Sequence, residues 1–223
     1  MKVIEDATKR GAKNLSEFES KQVLAAYGIP VTQEKTAGSL MEAVTAANDI
    51  GYPIAMKASG PDILHKTEHN LVRLGLMDDA QLDQAYQSIV ADNALNVSEV
   101  LVQEMIPGNR ELMAGLKRDE QFGPCVVFGL GGILTEILED VSIRVAPITR
   151  FDALDMMESI RAKKILDAFR GEPQVDRNAL AELLIAIGTI GLENQAISEI
   201  DINPIKLVHG KPRAVDALVV LKE

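Results

Sequence analysis

The C-terminal segment, residues 197–220, constrains the fold most, because it reads as two antiparallel strands with polar side chains along one face. In its first strand, the alternation of apolar and polar residues places Glu199, Asp201 and Asn203 on the same side. The isoleucines between them point to the opposite side, where they can enter a core. The segment therefore predicts a half-buried strand that carries three oxygen-bearing side chains in a row.

The turn between the two strands predicts which residues face each other. A turn centred on His209–Gly210 pairs residues whose numbers sum to about 419, so Asn203 lies opposite Asp216. A few hard oxygen ligands, with room for water and phosphate, are what a nucleotide-bound Mg²⁺ requires. The alternative is the ordinary polar face of a one-sided antiparallel sheet, and the spacing alone favours neither.

The charge balance argues against two classes of partner. The sequence contains 23 Lys and Arg against 33 Asp and Glu, a formal net charge of −10, which repels nucleic acid and anionic membranes. It has no run of about 18 apolar residues, and residues 1–10 lack the apolar stretch of a signal peptide. The single cysteine, Cys125, argues against a disulfide framework. We therefore expect a cytoplasmic globular protein that binds neither nucleic acid nor a membrane.

Helix-capping signals and turn residues predict the division of the chain. Capping boxes at Ser16 and Ser39, with hydrophobic periodicity, indicate that helices and strands alternate through the first half. Pro107 and Gly108 end a predicted strand, and we place a sub-domain boundary there. The expected parts are an N-terminal arm, a first sub-domain and a second sub-domain with the hairpin, at residues 1–15, 16–106 and 107–223.

A glycine-rich segment is a candidate anion-binding turn. Gly129, Gly131 and Gly132 allow positive φ angles and can present backbone N–H groups to an anion. The segment is neither a Walker A motif nor a dinucleotide fingerprint, and a simple tight turn between strands is an equal alternative. Asp140 and Arg144 follow shortly after, which favours a site.

Four charged or titratable side chains elsewhere are candidates for nucleotide chemistry. Lys57 lies in a predicted buried strand, where its ammonium is costly unless it reaches a phosphate or the exposed end of the strand. His65 lies in a long loop, and histidine can act as a nucleophile toward phosphorus, although a loop histidine is more often a surface residue. Glu104 and Glu111 flank the Pro-Gly turn and can accept hydrogen bonds from a nucleotide's amino group or ribose, or simply be solvated.

Several of these segments together match a known family. They are residues 53–57 (PIAMK), 59–68 (SGPDILHKTE), 102–106 (VQEMI), 128–133 (FGLGGI), 141–147 (VSIRVAP) and 199–204 (EIDINP). In order and spacing the chain resembles the ATP-grasp family, and specifically the small β subunits of ADP-forming acetyl-CoA (acyl-CoA) synthetases, which are relatives of succinyl-CoA synthetase β subunits. The resemblance covers about residues 16–223.

The resemblance implies an α+β fold, the ATP-grasp fold, in which two sub-domains clasp ATP or ADP. It places the adenine against the backbone near Glu104, Met105 and Ile106. Lys57 matches the family's phosphate-binding lysine. Glu111 stays a candidate contact of the nucleotide.

The remaining matched residues carry phosphate chemistry in the family. Asn203 and Asp216 match the Mg²⁺ ligands, and Asp201 matches the acidic residue that meets a phosphohistidine. His65 matches the histidine that relays phosphate between the partner subunit's phosphohistidine and ADP. Arg144 and the turn formed by Gly131 and Gly132 are expected to face the incoming phosphohistidine loop or the γ-phosphate.

The implied reaction is the reversible conversion of acyl-CoA, ADP and phosphate into free acid, CoA and ATP. This chain would perform the nucleotide half, while the CoA site and the first phosphorylated histidine would belong to a larger α subunit. A hetero-oligomer with a CoA-binding α subunit is therefore expected.

Two other classes of function remain open from the sequence. One is a non-catalytic ATP-grasp regulatory or interaction module, favoured because His69, Asn70 and Leu71 replace the glycine pair that the family usually has before the next strand. The other is a carboxylate–amine ligase that forms an acyl phosphate directly and would not need His65.

Overall fold

The computed structural model describes residues 1–60, 71–91, 97–132, 140–169 and 171–222. The helices and strands are, in chain order, α1 (Lys2–Lys9), α2 (Glu17–Ala26), β1 (Glu34–Ala37), α3 (Leu40–Ile50), β2 (Ile54–Ser59), β3 (Val72–Leu76), α4 (Asp79–Val90), β4 (Glu99–Glu104), β5 (Leu112–Asp119), β6 (Gly123–Leu130), β7 (Val141–Val145), α5 (Arg150–Ser159), a 3-10 helix (Lys163–Leu166), α6 (Arg177–Glu193), β8 (Ile197–Val208), β9 (Lys211–Ala214) and β10 (Leu218–Leu221). Among these helices, none is long and apolar enough to span a membrane.

The chain forms two compact units, and each is an α+β structure. The small unit contains Ser16–Glu19 and Thr32–Met105. The large unit contains Met1–Leu15, Ser20–Val31 and Ile106–Glu223. The observed division between Met105 and Ile106 lies one residue before the predicted boundary.

The first 31 residues are divided differently from the prediction, which treated 1–15 as an arm and placed 20–31 in the first sub-domain. Both segments belong to the large unit. The reason is long-range pairing, since Leu15 N donates to Val219 O at 2.9 Å and Ala214 N donates to Pro30 O at 2.9 Å. Val23 also packs fully buried in the core of that unit.

The small unit is an antiparallel four-stranded sheet with helices α3 and α4 packed on it. Its strand order is β1-β4-β2-β3, so β2 lies inside the sheet. The helix starts are fixed by side-chain caps, because Ser39 Oγ accepts from Glu42 N and Asp78 accepts from Gln81 N. Every residue of β2 is buried, which places Lys57 in the interior.

The large unit has a sheet with the order β10-β8-β5-β6-β7, and β9 pairs with the far end of β8. Helices α5 and α6 pack against this sheet. A row of paired residues, Ile200, Leu116 and Val126, is buried in the core. The adjacent row contains Asp201 and Gly115, which therefore lie on the opposite face of the sheet.

Strand β6 extends further than the glycine pattern predicts. Gly129 belongs to the candidate turn in the sequence, but in the structure it pairs with Met113 and Val141 inside the sheet. A Cβ at Gly129 would lie 2.6 Å from Asp140 O, so glycine allows the close approach of the next strand. The turn of the glycine-rich segment therefore begins at Gly131.

Asp140 joins the start of β7 to the turn after α5. Its carboxylate is 7% exposed and accepts hydrogen bonds from Arg161 N at 2.8 Å and Ala162 N at 2.7 Å. Burial acts to raise the pKa of this carboxyl, but the two backbone bonds and the Arg161 guanidinium hold the pKa below its usual value.

Asp140→Ala is expected to lower the free energy of unfolding by about 1–3 kcal/mol, because two backbone N–H groups lose a charged acceptor. Denaturant titration would measure the loss. The matched control is Asp119→Ala, since Asp119 also accepts two backbone N–H groups, from Gln121 and Phe122, but is solvent-exposed. If Asp119→Ala lowers the free energy of unfolding as much as Asp140→Ala does, burial of the Asp140 carboxylate has no special role.

Candidate functional site

The C-terminal hairpin has the register that the sequence predicts. Ile205 pairs with Ala214 and Asp201 pairs with Leu218, and both pairs sum to 419. The turn residues His209 and Gly210 have φ angles of 51° and 82°, as a tight hairpin turn requires. Val215 N donates to Pro204 O at 3.0 Å, which extends the same register to the neighbouring Asn203 and Asp216.

Strand β8 contains a bulge next to Asn203. Ile202 and Ile205 are both fully buried, although two residues separate them, and the register with β5 shifts between these two isoleucines. The extra residue lies at Asn203–Pro204, so the alternation of buried and less buried residues from Ile200 to Asn203 does not continue to Ile205.

The amide of Asn203 contacts the glycine-rich turn. Asn203 Oδ1 accepts a hydrogen bond from Gly132 N at 2.9 Å, and Gly131 N donates to Glu111 O at 2.9 Å. Gly132 has a φ of 67°, and a Cβ there would overlap Glu111 Oε2. The turn predicted to bind an anion thus lies directly beside the predicted metal ligand.

Glu111 contacts a lysine of β8 that the sequence does not predict as its partner. Its Oε1 atom forms an ion pair with Lys206 Nζ at 3.4 Å, and Lys206 Nζ also donates to Gly108 O at 3.1 Å. Sequence reasoning missed Lys206, because nothing at its position in β8 indicates that it contacts Glu111, 95 residues earlier in the chain. Glu111 and Lys206 place opposite charges beside the Gly131–Gly132 turn.

Negative charge is concentrated around Asp201. Burial, followed by the nearby Glu199 and Asp216 carboxylates, raises the pKa of Asp201 from 3.8 to about 6. The carboxyl therefore gains a proton near neutral pH more readily than an ordinary aspartate. A cation that neutralises the neighbouring carboxylates would relieve this effect.

Asp201→Asn is expected to stabilise the metal-free protein at about pH 8 by about 1–2 kcal/mol and to have less effect near pH 4. The sign follows because a carboxyl whose pKa rises on folding destabilises the folded state when it is ionised. That penalty is complete above the folded pKa of about 6 and vanishes below the unfolded value of 3.8. Thermal unfolding in EDTA across this range measures it, and an Asp201→Asn effect that does not vary with pH would contradict the assignment.

The donor set of this region fits Mg²⁺. Asn203 and Asp216 supply an amide and a carboxylate oxygen, which are hard ligands, and the acidic surroundings favour a divalent cation. Within the described ranges, no group of three or more His, Cys, Asp or Glu side chains is arranged to hold a metal ion. Two protein ligands that leave the other positions to water and phosphate agree with that observation.

Lys57 is buried with a carboxylate partner in the small unit. Its Nζ atom lies 2.6 Å from Glu17 Oε1, and the two side chains are 6% and 3% exposed. Sequence reasoning missed Glu17, because an acidic residue in the first turn of a helix usually serves only as a favourable charge at the helix N-terminus.

The end of β4 is fixed by contacts within the small unit. Glu104 Oε1 accepts from Gln33 N at 2.7 Å, and Met105 N donates to Pro53 O at 3.4 Å. Of the three residues predicted to lie against the adenine, Glu104 ends β4, and Met105 follows it in the small unit. Ile106 is buried and belongs to the large unit.

Arg144 lies on the helix-covered side of its sheet. It pairs with Val126 across the strands, and its Nη2 atom contacts Asp155 Oδ2 of α5 at 2.5 Å. Asp201 belongs to the opposite face, so the structure does not bring these two predicted residues together. His65, the third predicted catalytic residue, lies outside the described residues.

Comparison with known proteins identifies the family. The ATP-grasp domain family matches residues 6–221. The chain is 44% identical over 225 residues to the β subunit of acetate–CoA ligase (ADP-forming) I of Pyrococcus furiosus, with 98% of this chain and 96% of that protein covered. A longer relative, acetate–CoA ligase (ADP-forming) I of Archaeoglobus fulgidus, is 37% identical over 99% of this chain, which spans 33% of that protein.

Solved structures support the same grouping. Acetyl-coenzyme A synthetase 1 of Ca. Korarchaeum cryptofilum, described as dinucleotide-forming and bound to coenzyme A and Ca-AMPCP, superposes with a TM-score of 0.95 at 40% identity, with 99% of each chain covered. Another structure of that enzyme, with coenzyme A and Mg-AMPPCP, has its phosphohistidine segment pointing towards the nucleotide-binding site and a TM-score of 0.88 at 39% identity, again with 99% of each chain covered. The chain therefore belongs to the ATP-grasp family, among the nucleotide-binding β subunits of ADP-forming acetate–CoA ligases.

Proposed function

We propose that this chain transfers a phosphoryl group between a phosphohistidine of its partner subunit and ADP, with Mg²⁺ bound beside the nucleotide. The observation that carries the proposal is the arrangement of Asn203, which lies opposite Asp216 and accepts a hydrogen bond from Gly132 N at 2.9 Å. A candidate metal ligand is thereby held against the glycine-rich turn of the large unit.

The phosphate path that we propose uses two histidines. The partner's phosphohistidine gives its phosphoryl group to a ring nitrogen of His65, so one P–N bond breaks as another forms. The phosphoryl group then moves from His65 to the terminal phosphate oxygen of ADP, which yields ATP and free His65. Asp201 meets the incoming phosphohistidine, and its raised pKa favours hydrogen bonding to an imidazole or phosphate oxygen.

The nucleotide-binding residues have separate tasks. Lys57 binds a phosphate oxygen through its ammonium, and the backbone near Glu104, Met105 and Ile106 binds the adenine. Asn203 and Asp216 hold Mg²⁺, which when bound neutralises phosphate charge and orients the transferring group. The Gly131–Gly132 turn, whose Gly132 N–H holds the Asn203 amide, lies towards the γ-phosphate or the phosphohistidine segment.

We further propose that the chain works with a CoA-binding α subunit in a hetero-oligomer. The relative from Pyrococcus furiosus is described as a β subunit, and the Archaeoglobus fulgidus relative is about three times as long as the matched region. A separate or fused part that binds CoA is consistent with both. The complete reaction would convert acetyl-CoA, ADP and phosphate into acetate, CoA and ATP.

Two measurements test this proposal. The chain combined with its α subunit should form ATP from acetyl-CoA, ADP and phosphate only when Mg²⁺ is present. Calorimetry of the chain with Mg·ADP should show binding. No binding would instead favour the non-catalytic interaction module, which the replacement of the usual glycine pair by His69–Asn70–Leu71 supports.

A further inference from the structure

We infer that Glu17 is a positioning residue for Lys57, so that the first turn of α2 sets the place of the ammonium during phosphoryl transfer. The inference rests on the proposed function of Lys57 as the phosphate ligand and adds a residue to that site. The two atoms involved, Lys57 Nζ and Glu17 Oε1, are 2.6 Å apart although the residues are 40 positions apart in sequence.

The burial of both groups makes the pair more than a surface ion pair. The Lys57 and Glu17 side chains are 6% and 3% exposed, so solvent screens their attraction little. A buried ammonium without a counter-charge is costly, and a charged hydrogen bond also fixes its direction. Lysine has three N–H donors, so a bond to Glu17 is compatible with bonds to phosphate oxygens.

The backbone that carries Glu17 is itself held in place. Ser16 and Glu19 form a reciprocal capping box, with Ser16 N donating to Glu19 Oε2 at 2.9 Å and Glu19 N donating to Ser16 Oγ at 3.2 Å. Glu17 lies between them in the first turn of α2, where the positive end of the helix dipole favours a carboxylate. Lys57, in turn, stands on an interior strand of the sheet. Both ends of the contact are therefore rigid.

We expect the loss of Glu17 to change the rate of phosphoryl transfer more than the affinity for the nucleotide. A carboxylate beside the ammonium weakens its net attraction for phosphate, whereas correct placement of the ammonium favours the transition state. Glu17→Gln removes the negative charge and replaces the charged hydrogen bond by a weaker neutral one, so the ammonium is held less firmly. We expect the affinity for Mg·ADP to stay within about three-fold, while kcat for ATP formation falls about 30- to 100-fold, as a small misplacement of a reacting group can cause.

A double-mutant cycle with Lys57 tests the coupling. Glu17→Gln combined with Lys57→Met should have the same kcat as Lys57→Met alone, because Glu17 acts only through Lys57. Glu17→Asp keeps the charge on a shorter side chain and should recover part of the lost kcat. The control is Glu172→Gln, which removes a 2.5 Å ion pair with Arg110 in the large unit and should leave kcat within about two-fold.

The measurements use the chain combined with its α subunit, with kcat, KM and thermal unfolding recorded for each variant. If Glu17→Gln alone does not fold, kcat of Glu17→Asp is compared with wild type, and the Glu17→Gln, Lys57→Met double variant, which removes both buried charges, is the folded reference. A wild-type kcat in Glu17→Gln, or losses that multiply in the double variant, would contradict the inference alone. Absence of ATP formation by the wild-type complex would contradict the proposed function itself.

Discussion

Alanine in place of His65 is expected to lower ATP formation by the two-subunit enzyme by at least about 10⁴-fold, with the affinity for Mg·ADP within about three-fold of wild type. The reason is that, in the proposed path, the imidazole is the covalent phosphate carrier between the partner's phosphohistidine and ADP. The nucleotide contacts that we propose belong to other residues, so binding should survive. Steady-state ATP formation and calorimetry on the same preparation measure the two effects.

The sequence provides a matched control for this variant. His69 lies four residues after His65 in the sequence, and no role in phosphate transfer is assigned to it. His69→Ala should therefore retain wild-type ATP formation within about two-fold. If His65→Ala reduces the rate less than about ten-fold, or if His69→Ala reduces it as much, the relay role of His65 is wrong.

Asp216→Ala is expected to lower ATP formation by about 10³-fold and to raise the Mg²⁺ concentration needed for half-maximal activity by at least about ten-fold. One of the two protein ligands that we propose is lost, and the remaining amide of Asn203 is a weaker ligand than a carboxylate. The thermal unfolding temperature should change little or increase, because the variant removes one of the carboxylates that repel Asp201. Activity measured across a Mg²⁺ titration provides the test.

Glu199→Gln is the control for general electrostatic effects around the metal site. Glu199 lies on the same strand as Asn203 and contributes to the raised pKa of Asp201, as Asp216 does, but it has no assigned role. The control variant should require the same Mg²⁺ concentration as wild type within about three-fold. If Glu199→Gln and Asp216→Ala raise the required Mg²⁺ concentration equally, the effect comes from the local negative charge and Asp216 is not a metal ligand.

Local sequence patterns predict the hairpin well, because its register depends on residues close in sequence. A turn centred on His209–Gly210, both with positive φ, is sufficient to place Asp201 opposite Leu218. The bulge at Asn203–Pro204 was not predicted, since its position shows only in the burial of both Ile202 and Ile205.

Long-range packing accounts for what the sequence could not predict. The pairing of Pro30 with Ala214 joins segments almost the whole chain apart, and no local periodicity marks it. The contact between Glu17 and Lys57 is likewise invisible, because each residue has an ordinary local interpretation. Arg144 was predicted from resemblance, but the alternation of β7 places it on the helix-covered side, beside Asp155.

The most direct test of phosphate transfer by this chain is a single-turnover reaction with an α subunit that carries a radiolabelled phosphohistidine. The labelled α subunit is mixed with the purified chain, Mg²⁺ and ADP, and label is followed into ATP. We predict rapid formation of labelled ATP with the wild-type chain. With His65→Ala the label should remain on the α subunit, and without Mg²⁺ no labelled ATP should form. Label that remains on the α subunit in the presence of the wild-type chain, Mg²⁺ and ADP would contradict the proposed function.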